Sequence, residues 1–218
     1  MPDEKLSEKE WGAVMMAAET YGDAEAMETV AEAYMQGRTP DGVCDAVQAF
    51  SWFLRGAACG RASSQNKVGL CYAQGIGVER DYSMALNWYG KAAEQDYAPA
   101  CNNIGVCYAQ GFGVQADMKK AVTWYEKGAD GYAEAQYNLG TCYDRGEGVA
   151  QDPKKAFKLY EAAAGSGHRD AQFSLAVCYL QGRGTEKSSK NAVRWFKIAA
   201  NNGDKEAAEI LGRLGLAD

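Results

Sequence analysis

One string of about 35 residues recurs five times along the chain, and that repetition leaves few folds open. In its clearest form, residues 133–167, it reads AEAQYNLGTCYDRGEGVAQDPKKAFKLYEAAAGSG. Ala133, Ala135, Leu139, Gly140 and Tyr143 fall at three- and four-residue steps, which makes one apolar stripe on a helix. Gly140 costs such a helix about 1 kcal/mol against Ala. Its recurrence therefore predicts a place where two helix backbones approach closely. Gly146 stands where a left-handed C-terminal cap takes glycine. Asp152 and Pro153 supply an N-cap and a first-turn proline that needs no amide donor. Ala156, Phe157, Leu159, Tyr160, Ala163 and Ala164 form a second stripe. The unit is thus an antiparallel helical hairpin whose apolar face stays wet unless neighbours cover it.

Several registers agree on the count. Trp52, Trp88, Trp124, Leu159 and Trp195 are separated by 36, 36, 35 and 36 residues. The next position is always aromatic: Phe53, Tyr89, Tyr125, Tyr160 and Phe196. A first-helix tyrosine recurs as Tyr34, Tyr72, Tyr108, Tyr143 and Tyr179. The small residue is Ala31, Gly69, Gly105, Gly140 and Ala176, and the second-helix cap is Asp45, Asp81, Asp117, Asp152 and Ser188. The expected fold is all-α, a superhelical solenoid of five helical hairpins over about 23–60, 61–97, 98–132, 133–168 and 169–203. A capping helix is expected at each end, within 1–22 (Ser7 to Thr20) and 204–218, giving twelve helices in one domain. The tryptophans are expected in the core. The first hairpin turn, GRTPDGVCD, is two residues longer than the others.

Charge and cysteine usage narrow the function. The net charge is −6, with cations scattered among acids, so no basic stripe awaits nucleic acid. No apolar run approaches the ~18 residues of a membrane span. The start, MPDEKLSEKEW, has no apolar core of a secretory signal. Four of the seven cysteines, Cys71, Cys107, Cys142 and Cys178, share one repeat position and read as small buried hydrophobes. Their spacing suits no metal site, and an odd count without repeated pairs favours a reducing compartment, the cytoplasm. Cys44 and Cys59 are the likelier reactive thiols. The G-x-G turns follow no strand and lead to no Gly-Lys-Ser/Thr, so none is a phosphate loop, and no cofactor is expected. His168, the one histidine, is expected as a surface residue.

The combination LG-x-x-Y, G-x-G-V and D-x-x-x-A-x-x-W-Y-x-x-A-A resembles the Sel-1-like repeat, a relative of the tetratricopeptide repeat. It stands in VGLCYAQGIGVERDYSMALNWYGKAA, IGVCYAQGFGVQADMKKAVTWYEKGA and LGTCYDRGEGVAQDPKKAFKLYEAAA, and in LAVCYLQGRGTEKSSKNAVRWFKIAA; VAEAYMQGRTPDGVCDAVQAFSWFLRGAA departs most. The resemblance implies a concave face lined by first helices and work as an adaptor or scaffold for another protein or peptide. On that face it places Asn66, Lys67, Asn102, Asn103, Tyr137, Asn138, Phe173 and Ser174, with amides for a peptide backbone and aromatic anchors. The other reading of the asparagines is that they bond the neighbouring hairpin. Cysteine-rich relatives staple each hairpin with a disulfide, a pattern missing here, and some are linked to penicillin-type ligands. The alternative function is therefore a β-lactam-binding or hydrolytic enzyme using Ser64 and Lys67, a Ser-x-x-Lys match. Composition alone explains one such match, no Ser-Asp-Asn or Lys-Thr-Gly accompanies it, and Ser64 reads as a helix cap. No catalytic residue is therefore assigned.

Overall fold

The computed structural model describes residues 5–216, which hold twelve α-helices and no strand. Helix α1 (Glu8–Thr20) precedes five pairs: α2 (Ala24–Gln36) with α3 (Ala46–Ala58), α4 (Ala62–Gln74) with α5 (Tyr82–Ala93), and α6 (Ala98–Gln110) with α7 (Met118–Gly128). The pairs continue with α8 (Ala133–Arg145) and α9 (Pro153–Gly165), then α10 (Arg169–Gln181) and α11 (Ser189–Asn201); α12 (Lys205–Arg213) closes the series. The all-α hairpin class read from the repeats is the class observed.

Contacts group the chain into two compact units. The first runs to Ala100 and includes Phe112–Gln115; the second holds Cys101–Gly111 and everything from Ala116 on. In the first, α1 to α5 pack in succession around Val30, Ala49, Trp52, Phe53 and Val68. In the second, α7 to α12 pack in succession, with Tyr125, Leu139, Tyr160 and Leu175 in one cluster and Phe196 and Leu211 in another.

The hairpin turn is built the same way each time. Asp45, Asp81, Asp117, Asp152 and Ser188 all cap the second helix with their side chains. The backbone N–H of each also donates to the carbonyl of the recurrent tyrosine, Asp152 N to Tyr143 O at 2.9 Å for example, which satisfies an orphan acceptor at the first helix's end. The first glycine of the turn takes the left-handed cap, with φ +72° at Gly146. The second glycine lies against the preceding hairpin. Gly77 abuts the Ala46 carbonyl, and in the other unit Gly148 and Gly184 abut those of Met118 and Pro153.

The aromatic series differs from expectation. Trp52 is buried, but Trp88, Trp124 and Trp195 are half-buried, and the deepest aromatics are their successors, from Phe53 to Phe196. Three tryptophans of the series lie under basic side chains one turn on: Arg55 over Trp52 and Lys91 over Trp88 at 3.9 Å, Lys127 over Trp124 at 4.3 Å. A broad indole can cover the core with one edge and shelter a cation with its outer face. The smaller ring beside it points inward, at the small residue of the first helix.

A glutamine at one repeat position ties successive helices. Gln65, Gln136 and Gln172 donate to the carbonyls of Ala57, Ala129 and Ala164 near the end of the preceding second helix. Gln95 and Asn202 answer the side-chain carbonyls of Gln65 and Gln172, each at 2.9 Å. The corresponding residue for Gln136, thirty positions on, is Ser166, and Gln136 Oε1 is buried with no partner. Ser166 has φ −83° and ψ 7°, close to the −88° and 13° of Asn202, so asparagine fits there. Ser166→Asn is expected to stabilise by about 1 kcal/mol, read as a higher urea midpoint. No gain should appear in a Gln136→Leu background.

Candidate functional site

The residues expected on the first-helix face stand around the small residue, and none of them is freely exposed. In the first unit, Asn66 is buried at 4% exposure, which corrects the expectation that it faces a ligand. Lys67 is half-exposed; its Nζ pairs with Glu32 at 3.2 Å and lies 6.0 Å from the Phe53 ring centre. Between α2 and α4 this pair borders a pocket of about 230 Å³ lined by Met35, Phe53, Leu70 and Ile76, with Gln36 and Gln74 at its edge. Apolar walls, two amides and a displaceable ion pair suit an aliphatic side chain on a peptide whose backbone meets the amides.

In the second unit, Asn102 is also buried, at 4% exposure. It accepts from Asn138 Nδ2 at 2.9 Å, so here an asparagine pair bonds successive hairpins, the other of the two readings. Asn103 is half-buried and engaged elsewhere in the fold. Tyr137 lies against Tyr160 at 5.8 Å and stacks on His168 at 4.6 Å. Phe173 meets Phe196 edge-on at 5.5 Å, and Ser174 is half-buried beside it. The second unit therefore offers partly covered rings rather than a row of free amides.

The position that caps the first helix carries more of the site than the sequence suggested. His168 is not a surface residue: its side chain is 12% exposed, Nδ1 accepts from Ala171 N at 3.2 Å, and Nε2 is 3.0 Å from Glu134. An Nδ1 acceptor places the proton on Nε2, aimed at the carboxylate. Arg61 holds the same place three repeats earlier, with Nε 2.5 Å from Glu28. Glu28 also accepts from Ser63 at 2.5 Å and from Ser64 at 3.2 Å. Ser64 is thus no helix cap. It sits two residues inside α4, fully buried and bonded to Glu28, while Lys67 is bonded to Glu32. The Ser-x-x-Lys match presents no hydroxyl to an acylating ligand.

Cys71, Cys107, Cys142 and Cys178 are buried, and burial pushes each thiol up to about 11. No disulfide joins any of the seven cysteines, and Cys44 and Cys59 are exposed. Among the described residues no cluster of three or more His, Cys, Asp or Glu could hold a metal ion.

The Sel1 repeat family matches residues 24–60, 62–97, 98–131, 133–168 and 169–204. The chain belongs to the Sel1 repeat family. A crystal structure of a Sel1 repeat protein from Oxalobacter formigenes is 33% identical, with a TM-score of 0.80 over 93% of this chain and 82% of that one. A protective antigen of uropathogenic Escherichia coli with an SLR fold is 31% identical, with a TM-score of 0.59 over 94% of this chain. The chain spans about half, 52%, of that antigen. Cysteine rich protein B of Helicobacter pylori is 26% identical, with a TM-score of 0.50 over 61% of this chain and 96% of that one. No curated protein matches the sequence. Sel1 repeats are protein-interaction modules, and among the described residues no helix is long and apolar enough to cross a membrane.

Proposed function

We propose that this Sel1 repeat chain is a scaffold that holds a peptide or partner protein against its first-helix faces and catalyses no reaction. The observation that carries this is the pocket between α2 and α4, where an apolar floor stays open beside Lys67 and Glu32. Met35 and Leu70 are only half-buried there, so the cleft keeps apolar wall for an incoming side chain. In the second unit, Asn103, Tyr137, Phe173 and Ser174 are the residues within reach of a guest, with Asn102 and Asn138 holding the surface they stand on. The free thiols support work in a reducing compartment, the cytoplasm.

Peptide display against the purified chain tests the reading. Selected peptides should bind at least tenfold more weakly to Lys67→Glu and Leu70→Asp, or to Tyr137→Ala if they favour the second unit. Lys158→Glu, on the exposed face of a second helix, should leave binding unchanged. Peptides that lose affinity for Lys158→Glu alone would move the site to the opposite face.

A further inference from the structure

A second pocket, of about 320 Å³, lies between α1 and the first hairpin turn. Glu8, Trp11, Tyr34, Thr39, Pro40 and Asp41 line it. Leu6 N donates to Arg38 O at 2.8 Å and ties the segment before α1 to the turn. Trp11 and Tyr34 meet edge to face at 5.5 Å. That ring pair recurs as Phe50 with Tyr72 and as Phe157 with Tyr179, so on its own it is a stacking contact.

What differs here is the turn. In the next hairpin the second glycine, Gly77, closes on the Ala46 backbone and Phe50 Cβ, which seals the space beside the ring pair. The first turn is two residues longer, and a Cβ on its Gly42 would meet side-chain rather than backbone atoms first. It faces the chain's own Lys5, whose Cε lies 2.5 Å from where a Cβ on Gly42 would stand. The gap is thus open, and Glu8 and Asp41 put carboxylates on its rim. Asp41 Oδ1 accepts from Thr39 Oγ1 at 2.6 Å and from Val43 N at 3.2 Å. Those two bonds, the hydroxyl first, hold the Asp41 carboxyl below its ordinary range, so it stays ionised, and Lys5 is near enough to Asp41 to favour that form. Burial raises the Tyr34 phenol, and Asp41, Asp45 and Glu19 raise it further.

Aromatic rings beside carboxylates attract an alkylammonium or guanidinium through both the quadrupole and the charge. We infer that this pocket receives a lysine or arginine side chain presented by a partner protein. The wall chemistry is complementary to a basic group, and the chain itself already lays a lysine along the same turn. The inference does not depend on the first-helix face, so either can fail alone.

The test is titration of the 218-residue chain with acetyl-lysine methylamide and acetyl-arginine methylamide, followed at the Trp11 indole resonance, which Trp11→Phe identifies. Acetyl-norleucine methylamide has nearly the same apolar stem without the charge. Saturable shifts with the basic amides are expected, with affinity at least tenfold weaker for norleucine. Asp41→Asn should weaken the lysine amide at least fivefold. Glu8→Gln should weaken it in the same sense and leaves the turn's hydrogen bonds in place. Lys5→Met should tighten it by removing a resident cation. Equal binding of norleucine, no shift with either basic amide, or unchanged affinity in both Asp41→Asn and Glu8→Gln would overturn the inference. Tetramethylammonium binding more tightly than both amides would also overturn it, in favour of a free quaternary ammonium.

Discussion

Gly148→Ala is expected to cost about 3 kcal/mol or more, whereas Gly146→Ala, two residues earlier in the same turn, should cost about 1 kcal/mol. Both glycines have left-handed backbones, with φ of +72° at Gly146 and +73° at Gly148. That penalty is common to the two variants, about 1 to 2 kcal/mol for an alanine. They differ in what a methyl group meets. At Gly146 its nearest neighbours are Gln151 Cβ at 3.3 Å and Gln151 N at 3.4 Å, close enough to ask for a shift of only a few tenths of an ångström. At Gly148 it would strike the Met118 carbonyl, whose carbon lies 2.5 Å away, with Lys119 N at 3.0 Å. This is backbone in the first turn of α7, fixed by the Asp117 cap, and it yields only if one hairpin lifts off the next. Gly184→Ala should behave like Gly148→Ala, because the Pro153 carbonyl carbon stands at the same 2.5 Å. Urea unfolding of the three variants in one buffer measures the split. Equal losses at Gly146 and Gly148 would mean the turn moves freely and the contact between hairpins is slack.

That contact shows what the sequence could and could not disclose. The period, the caps and the turn glycines were legible because each rests on a local rule: a stripe at helical spacing, an oxygen two or three residues before an amide, a residue that tolerates positive φ. Which of two adjacent aromatics points inward was not legible, since Trp124 and Tyr125 are both apolar enough for a core. The choice is made by the shape of the facing helix, where only a narrow ring enters beside Gly105. The site was less legible for a related reason. Counting from the small residue places Asn66 and Asn102 on the right face. It does not reveal that Asn138 of the next hairpin covers Asn102, or that Asn66 is buried as well, both at 4% exposure. His168 was read as a loop residue because its partner, Glu134, is 34 positions away. A signal existed all the same: His168 stands at the repeat position held by Arg61, and a shared position argues for a shared role.

Gly105→Ala is expected to destabilise by about 2 kcal/mol, although alanine is the better helix former by about 1 kcal/mol. A Cβ there would lie 2.5 Å from Tyr125 Cε1 and 2.6 Å from Cδ1, and Tyr125 is 5% exposed, with little room to withdraw. The loss should be smaller for Gly140→Ala, where the nearest atom of Tyr160 is at 2.9 Å. Residue choice along the chain points to the mechanism. Where the small residue is glycine the ring is tyrosine, in Gly69 with Tyr89, Gly105 with Tyr125 and Gly140 with Tyr160. Where it is alanine the ring is phenylalanine, in Ala31 with Phe53 and Ala176 with Phe196. A phenol must keep its oxygen at a hydrogen-bonding point, as Tyr160 does with Thr141 at 3.4 Å, and this fixes how far the ring reaches toward the facing helix. A phenyl ring has no such tether and can retreat by the few tenths of an ångström that a methyl group needs. Tyr160→Phe should therefore recover at least half of the loss caused by Gly140→Ala, a coupling of about 0.5 to 1 kcal/mol between residues in contact. A double-mutant cycle in urea measures it directly. Additive effects would mean that the pairing of glycine with tyrosine reflects no steric demand, and that the close approach of the two helices is set by the backbone alone.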